Sequence, residues 1–181
     1  MRAAPPPMKR LLLLLLLPLR LLATSPAPLP PYAAVESFVG GTWSAALPPG
    51  KDGQPRSIEL VFSWAQNHQG IRFDSTFVTG GKRSPYVSGM YAWNAATKRL
   101  EMIYTDADGS LTRGPVTFAD GVLVHDLTET DSDGTVDQVQ VRITKFGRDA
   151  FTDEIYVSRD AAYVRIAAVR YERAGSGPYH P

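Results

Sequence analysis

Three histidines, 18 acidic side chains and no cysteine set the chemistry open to this 181-residue chain. Without cysteine there is no thiol nucleophile, zinc–thiolate site, iron–sulfur cluster or disulfide framework. His125 is the informative histidine, because it shares an apolar alternation with Leu123 and Leu127. It is either a base or ligand facing a cavity, or a histidine satisfied by one neighbour. His68, within Gln66-Asn67-His68-Gln69, reads as a solvated loop residue, and His180 belongs to the C-terminal tail. Asp131, Asp133 and Asp137 have part of a calcium loop's spacing but lack its closing bidentate Glu. A hairpin turn and no metal site are expected there, and Asp106 with Asp108 reads the same way. Asp126, Glu129, Asp153 and Glu154 are the carboxylates available for acid–base work, and no spacing selects a pair. Ser44, Ser63, Ser88 and Ser158 lack a Gly-x-Ser-x-Gly elbow, and no phosphate-cradling glycine loop is present. No catalytic residue is assigned.

Aromatic residues carry more information as a group. Trp64, Phe73, Phe77, Tyr86, Tyr91, Trp93, Tyr104, Phe118 and Tyr163 fall on runs with a period of two. Ile58, Leu60, Phe62 and Trp64 share one face; so do Leu100, Met102 and Tyr104, and Val139, Val141 and Ile143. Such alternation is the pattern of half-buried antiparallel strands. About ten runs follow one another, and no later segment holds a helical period over ten residues. Asp108-Gly109, Asp120-Gly121 and Asp133-Gly134 supply hairpin chemistry, and Asn94–Thr97 and Phe146–Asp149 have matching lengths. Short links make neighbouring strands antiparallel. A meander of that length exposes two edges unless it closes, so an all-β, up-and-down barrel of about ten strands is expected. Tyr32, Val35 and Phe38, spaced by three, predict a short helix ahead of it, ended by Gly40-Gly41.

The charge divides unevenly. Arg2, Lys9, Arg10 and Arg20 lie in residues 1–34, which hold no acid. The remaining 15 basic residues face 18 acids, so the body is net −3. A mildly acidic body is poorly suited to phosphate backbones, and no nucleic-acid partner is expected. Basic residues followed by the apolar run Leu11–Leu22 have the layout of a secretory signal peptide. That run is too short to span a bilayer, so no stable membrane insertion is expected after cleavage. Met8 competes with Met1 as the start. The expected organisation is a leader over 1–24, a Pro-rich linker over 25–34, the barrel over 35–173 and a flexible tail over 174–181, in a periplasmic or secreted protein.

Phe38-Val39-Gly40-Gly41-Thr42-Trp43 resembles the opening of calycin barrels, the superfamily of lipocalins and fatty-acid-binding proteins. In that family Gly-x-Trp follows a short helix, and an arginine near the last strand packs on the tryptophan. The resemblance implies a structural role for Gly41 and Trp43, with Arg170 or Arg173 closing the barrel and Arg170 preferred. More narrowly, Phe38–Trp43, Trp93–Leu100 and Arg170–Arg173 resemble motifs of lipocalin-like domains in secreted bacterial proteins. Haem-binding, nitrobindin-like barrels also carry an early Gly-x-Trp, but they need a glycine-rich first strand and a histidine near the end. Ser44-Ala45-Ala46-Leu47-Pro48 lacks those glycines, Thr144 to Gly177 holds no histidine, and no cofactor is expected. The implied function is binding of a small, mostly apolar molecule. Trp64, Phe73, Tyr91, Tyr104 and His125 are the expected cavity residues. The alternatives are an isomerase- or cyclase-type barrel enzyme using His125 or a cavity carboxylate as base, and a non-catalytic envelope or interaction domain with a filled interior.

Overall fold

A computed structural model describes residues 32–174. The expected leader, all of the linker before Tyr32, and the tail beyond Ala174 lie outside the described residues. Ten strands follow in order: β1 (Thr42–Leu47), β2 (Arg56–Trp64), β3 (Gly70–Thr79), β4 (Lys82–Asn94), β5 (Arg99–Asp106), β6 (Leu111–Ala119), β7 (Val122–Thr130), β8 (Val136–Phe146), β9 (Ala150–Arg159) and β10 (Ala162–Arg173). Each pairs antiparallel with its neighbours in sequence, and β1 pairs with β10, closing the barrel. The seam is short, registering only Trp43 with Arg173 and Ser44 with Glu172. Beyond those two pairs the strands part, and a groove lined by Ala46, Leu47, Ala168 and Val169 separates β1 from β10.

The turns make the hairpins tight. Gly80 and Gly81 both take positive φ between β3 and β4, as a two-residue primed turn requires. Asp120-Gly121 does the same between β6 and β7. Asp106 Oδ1 accepts from the backbone N–H of Asp108 and of Ser110, and Asp133 Oδ1 from that of Thr135. The Asp-rich segments are thus turn formers, and no group of three metal-ligating side chains occurs among the described residues. Pro85 sits in β4 where the register with β3 shifts, a place where a missing N–H costs no ladder bond. Gly114-Pro115 does not end β6; it opens a gap in the β6–β7 pairing between Arg113 and Val116.

The expected N-terminal helix is a single 3-10 turn, Glu36–Phe38. It plugs one end of the barrel with Tyr32, Val35 and Phe38, each at most 1% exposed. Phe38 packs edge-on against Trp43 and Phe151, with ring centroids 5.9 and 5.0 Å away. The Trp43 indole N–H donates to the Phe38 carbonyl at 2.9 Å. Tyr32, which falls in the expected linker, donates its hydroxyl to the Gln69 carbonyl and accepts from the Trp93 N–H.

Closure of this end corrects the choice of arginine. Arg173 lies over the Trp43 ring at 4.3 Å and donates to the carbonyls of Gly40 and Ser37. Asp149 lies 3.5 Å from its Nε. Arg170 instead sits on the outer face of β10, exposed, beside Glu172 at 3.3 Å. The reason is register: Trp43 pairs with Arg173, which puts both side chains at the base. Gly41 leaves the guanidinium room, since a Cβ there would stand 3.2 Å from Arg173 Nη1.

Candidate functional site

Beyond the aromatic plug the barrel is not filled. A cavity of about 440 Å³ runs toward the end opposite Trp43. That lies within the roughly 300–1,000 Å³ range of small-molecule sites. Its wall is mainly apolar: Ile58, Leu60, Phe62, Met102, Val141, Ile143, Ile155 and Val169 combine with Phe73, Phe77, Tyr91, Tyr104 and Tyr171. Leu47, Pro48, Arg56 and Tyr86 also line it. Leu47 pairs with Arg56 at the end of β1 remote from Trp43, which places this group at the mouth. The Arg56 guanidinium lies over the Phe77 ring at 5.8 Å.

Strand alternation positions these side chains. Phe73 and Tyr104 flank Gly89, with which both register, and their rings meet edge to face at 6.2 Å. A Cβ on Gly89 would come within 2.4 Å of Tyr104 Cβ and 2.7 Å of Phe73 Cζ. Glycine at this position is therefore what lets two rings of the cavity wall close over β4.

Four of the five expected cavity residues line the space: Phe73, Tyr91, Tyr104 and His125. Trp64 does not, which corrects that assignment. It shares the inward parity of Ile58 and Phe62, but it is the last residue of β2, beyond the plug. There it stacks on His68 at 5.0 Å and meets Tyr32 edge-on at 5.7 Å. His68 is thus exposed but packed against a ring. Trp93, Phe118 and Tyr163 are exposed, Phe118 by 60%.

His125 has no exposed surface. Its Nε2 lies 3.0 Å from the Tyr91 hydroxyl and its Nδ1 3.3 Å from the Val141 carbonyl. A carbonyl only accepts, so Nδ1 carries the proton and Tyr91 donates to Nε2. Burial holds the imidazole down at about 4 and pushes the Tyr91 phenol up, so both are neutral at pH 7. The two readings open for His125 thus meet: it borders the cavity, but both nitrogens are engaged. It braces β7 against β4 and β8 and offers no lone pair to a substrate.

Asp153 is the polar feature the sequence reading did not single out from its carboxylates. It projects inward from β9 between its register partners Ile143 and Val169. Its Oδ1 is sealed from solvent and has no hydrogen-bond partner. Burial pushes the carboxyl up to about 7, and its charge raises the Tyr91 and Tyr171 phenols further. Ser75 Oγ, on the same cavity wall, is also buried without a partner. Tyr104 is pushed up to about 12, chiefly by burial. Asp126 and Glu154 are external, accepting from Gln140 at 2.7 Å and pairing with Arg165. Glu129 instead continues the inward parity of His125 and Leu127 and is half-buried. Its carboxyl is pushed up chiefly by burial, and its charge adds to burial in raising the Tyr86 and Tyr104 phenols. A signal for Asp153 existed, because Phe151, Asp153 and Ile155 alternate inward; Ser75 likewise interrupts Phe73 and Phe77.

No protein-family model matches the chain, and no curated protein is significantly similar to it. Among solved structures, the crystal structure of Rv2717c from M. tuberculosis aligns over 81% of this chain and 99% of its own, with a TM-score of 0.52. Identity over that alignment is 12%, so the likeness speaks for the barrel fold alone.

Proposed function

We propose that this chain is a secreted or periplasmic, lipocalin-like barrel that binds one small, mostly apolar molecule in its cavity. The observation that carries this reading is the 440 Å³ space itself, apolar on most of its wall with a few buried polar atoms. Apolar surface leaving water supplies the affinity, about 25 cal/mol per Å², so a ligand burying about 200 Å² gains roughly 5 kcal/mol before entropic costs. Gly41, Trp43 and the stacked arginine support the lipocalin-like assignment. The basic and leucine-rich start of the chain supports export.

The enzyme reading keeps only one observation, a cavity carboxyl titrating near neutrality. The base it would otherwise use, His125, is engaged at both nitrogens.

Native mass spectrometry of the protein from its own cells, before and after organic extraction, tests the binding reading. A discrete added mass that extraction removes is expected. With extracted protein, N-phenyl-1-naphthylamine fluorescence should report binding that Phe73→Ala and Tyr104→Ala each weaken about tenfold, since each removes part of the apolar wall. Affinity unchanged in both variants would mean that the cavity is not the site.

A further inference from the structure

The cavity's polar groups are unequal in what they can offer a ligand. Tyr91 spends its proton on His125, and His125 spends its own on the Val141 carbonyl. What is left over is Asp153 Oδ1 and Ser75 Oγ, both buried and without partners: a carboxylate oxygen that accepts, and a hydroxyl that can accept or donate. Among the described residues Asp153 makes no ion pair, and the one lysine or arginine of these on the cavity wall, Arg56, stands at the mouth over Phe77. A buried carboxylate without a counter-ion is costly, and a bound cation would offset that cost. The rings of Phe73, Tyr104 and Tyr171 line the same space, and an aromatic ring's face attracts a positive group rather than a negative one.

We propose that the ligand carries a basic nitrogen, and that the cavity selects small apolar amines by pairing their ammonium group with Asp153. This deepens the binding reading given above and rests on it. The apolar body would lie against the wall formed by Phe73, Tyr104 and Ile155, with the ammonium donating to Asp153. The phenol of Tyr171, whose titration the Asp153 charge already perturbs, lies close enough to feel the same ion.

Three probes sharing one apolar body separate the possibilities: 4-phenylbenzylamine, 4-phenylbenzyl alcohol and 4-phenylbenzoate. Isothermal titration calorimetry on the extracted full chain at pH 8 measures each. The amine should bind at least about tenfold more tightly than the alcohol, the lower end expected for a hydrogen bond to a charged group, and the benzoate most weakly. Asp153→Asn should abolish the preference for the amine over the alcohol. Equal affinity for amine and alcohol, a preference for benzoate, or an amine preference that survives in Asp153→Asn would overturn the assignment of Asp153 and leave the binding barrel standing. No binding of any probe at millimolar concentration would overturn both. The comparison in the unaltered protein does not depend on the variant's folding.

Discussion

At the scale of single residues, two buried ionisable groups pull stability in opposite directions with pH. His125 sits near 4 in the fold against an ordinary 6.5, so the unfolded chain holds more protons between those values. Stability from this group therefore falls as pH drops from 6.5 to 4. Asp153 sits near 7 against an ordinary 3.8, so the folded chain holds more protons there, and its contribution falls as pH rises from about 4 to 7. Each slope reaches about 1.4 kcal/mol per pH unit, and over most of the window the two cancel. Asp153→Asn should therefore gain on the unaltered protein as pH rises from 4 to 7, and its own stability should fall on acidification through the His125 window. Denaturant midpoints across that range read both effects. A stability difference between the two proteins that does not change with pH would show that Asp153 is not desolvated in the fold. The arginines make a second contrast at this scale. Arg173→Ala loses a cation–π contact and hydrogen bonds to two carbonyls, a cost of about 1–3 kcal/mol. Arg170→Ala, on an exposed pair, should stay within about 0.5 kcal/mol. Trp43→Ala should cost about 3–5 kcal/mol. Equal costs for the two arginines in urea unfolding would refute the base geometry.

At the scale of elements, strands and most turns were legible because period-2 alternation and Asp-Gly pairs are local signals. Register is not local, and a sequence pattern does not carry it. Arg170 and Arg173 lie on one strand and both fit a terminal-arginine motif; only the pairing of Trp43 with Arg173 across the seam decides between them. Trp64 has the right parity for the cavity, but depth along the barrel axis puts it past the plug, and parity carries no depth. Asp153 is legible in position, as a charge inside an apolar alternation, but the lack of a hydrogen-bond partner for its Oδ1 depends on what the other strands place opposite it. One turn also violates the local rule. Asp160 and Ala161 both take positive φ, 49° and 63°, where an Asn-Gly pair would be natural. An alanine in the left-handed region is strained by about 1–2 kcal/mol. Ala161→Gly relieves that strain but adds unfolded-state entropy, so a net gain of roughly 0.5–1 kcal/mol is expected. Differential scanning calorimetry should show a higher midpoint; a lower one would mean that the turn is not primed.

At the scale of the whole molecule, the barrel stays closed without a filled interior because the two jobs fall to different ends. The aromatic plug around Phe38, Trp43 and Phe151 supplies a dense core, and the ladder from β1 round to β10 closes at that same end, where Trp43 pairs with Arg173. The opposite end can therefore leave its space open at little risk to the fold. If that division holds, filling the open end should abolish binding and spare stability. Val169 lines the cavity from β10, and its neighbours across the strand pairing place it beside Asp153. Val169→Phe adds a ring to open space rather than to packed atoms, so the overpacking cost of about 1–3 kcal/mol met in dense cores should not arise. Unfolding free energy should change by less than about 1 kcal/mol, while N-phenyl-1-naphthylamine binding falls by about tenfold or more. A substitution at the plug, Phe151→Ala, should do the reverse, costing about 3–5 kcal/mol with little change in probe affinity at temperatures where the variant is folded. Loss of stability in Val169→Phe comparable to that in Phe151→Ala would mean that the two ends form one packed core and that the cavity is not free for a ligand.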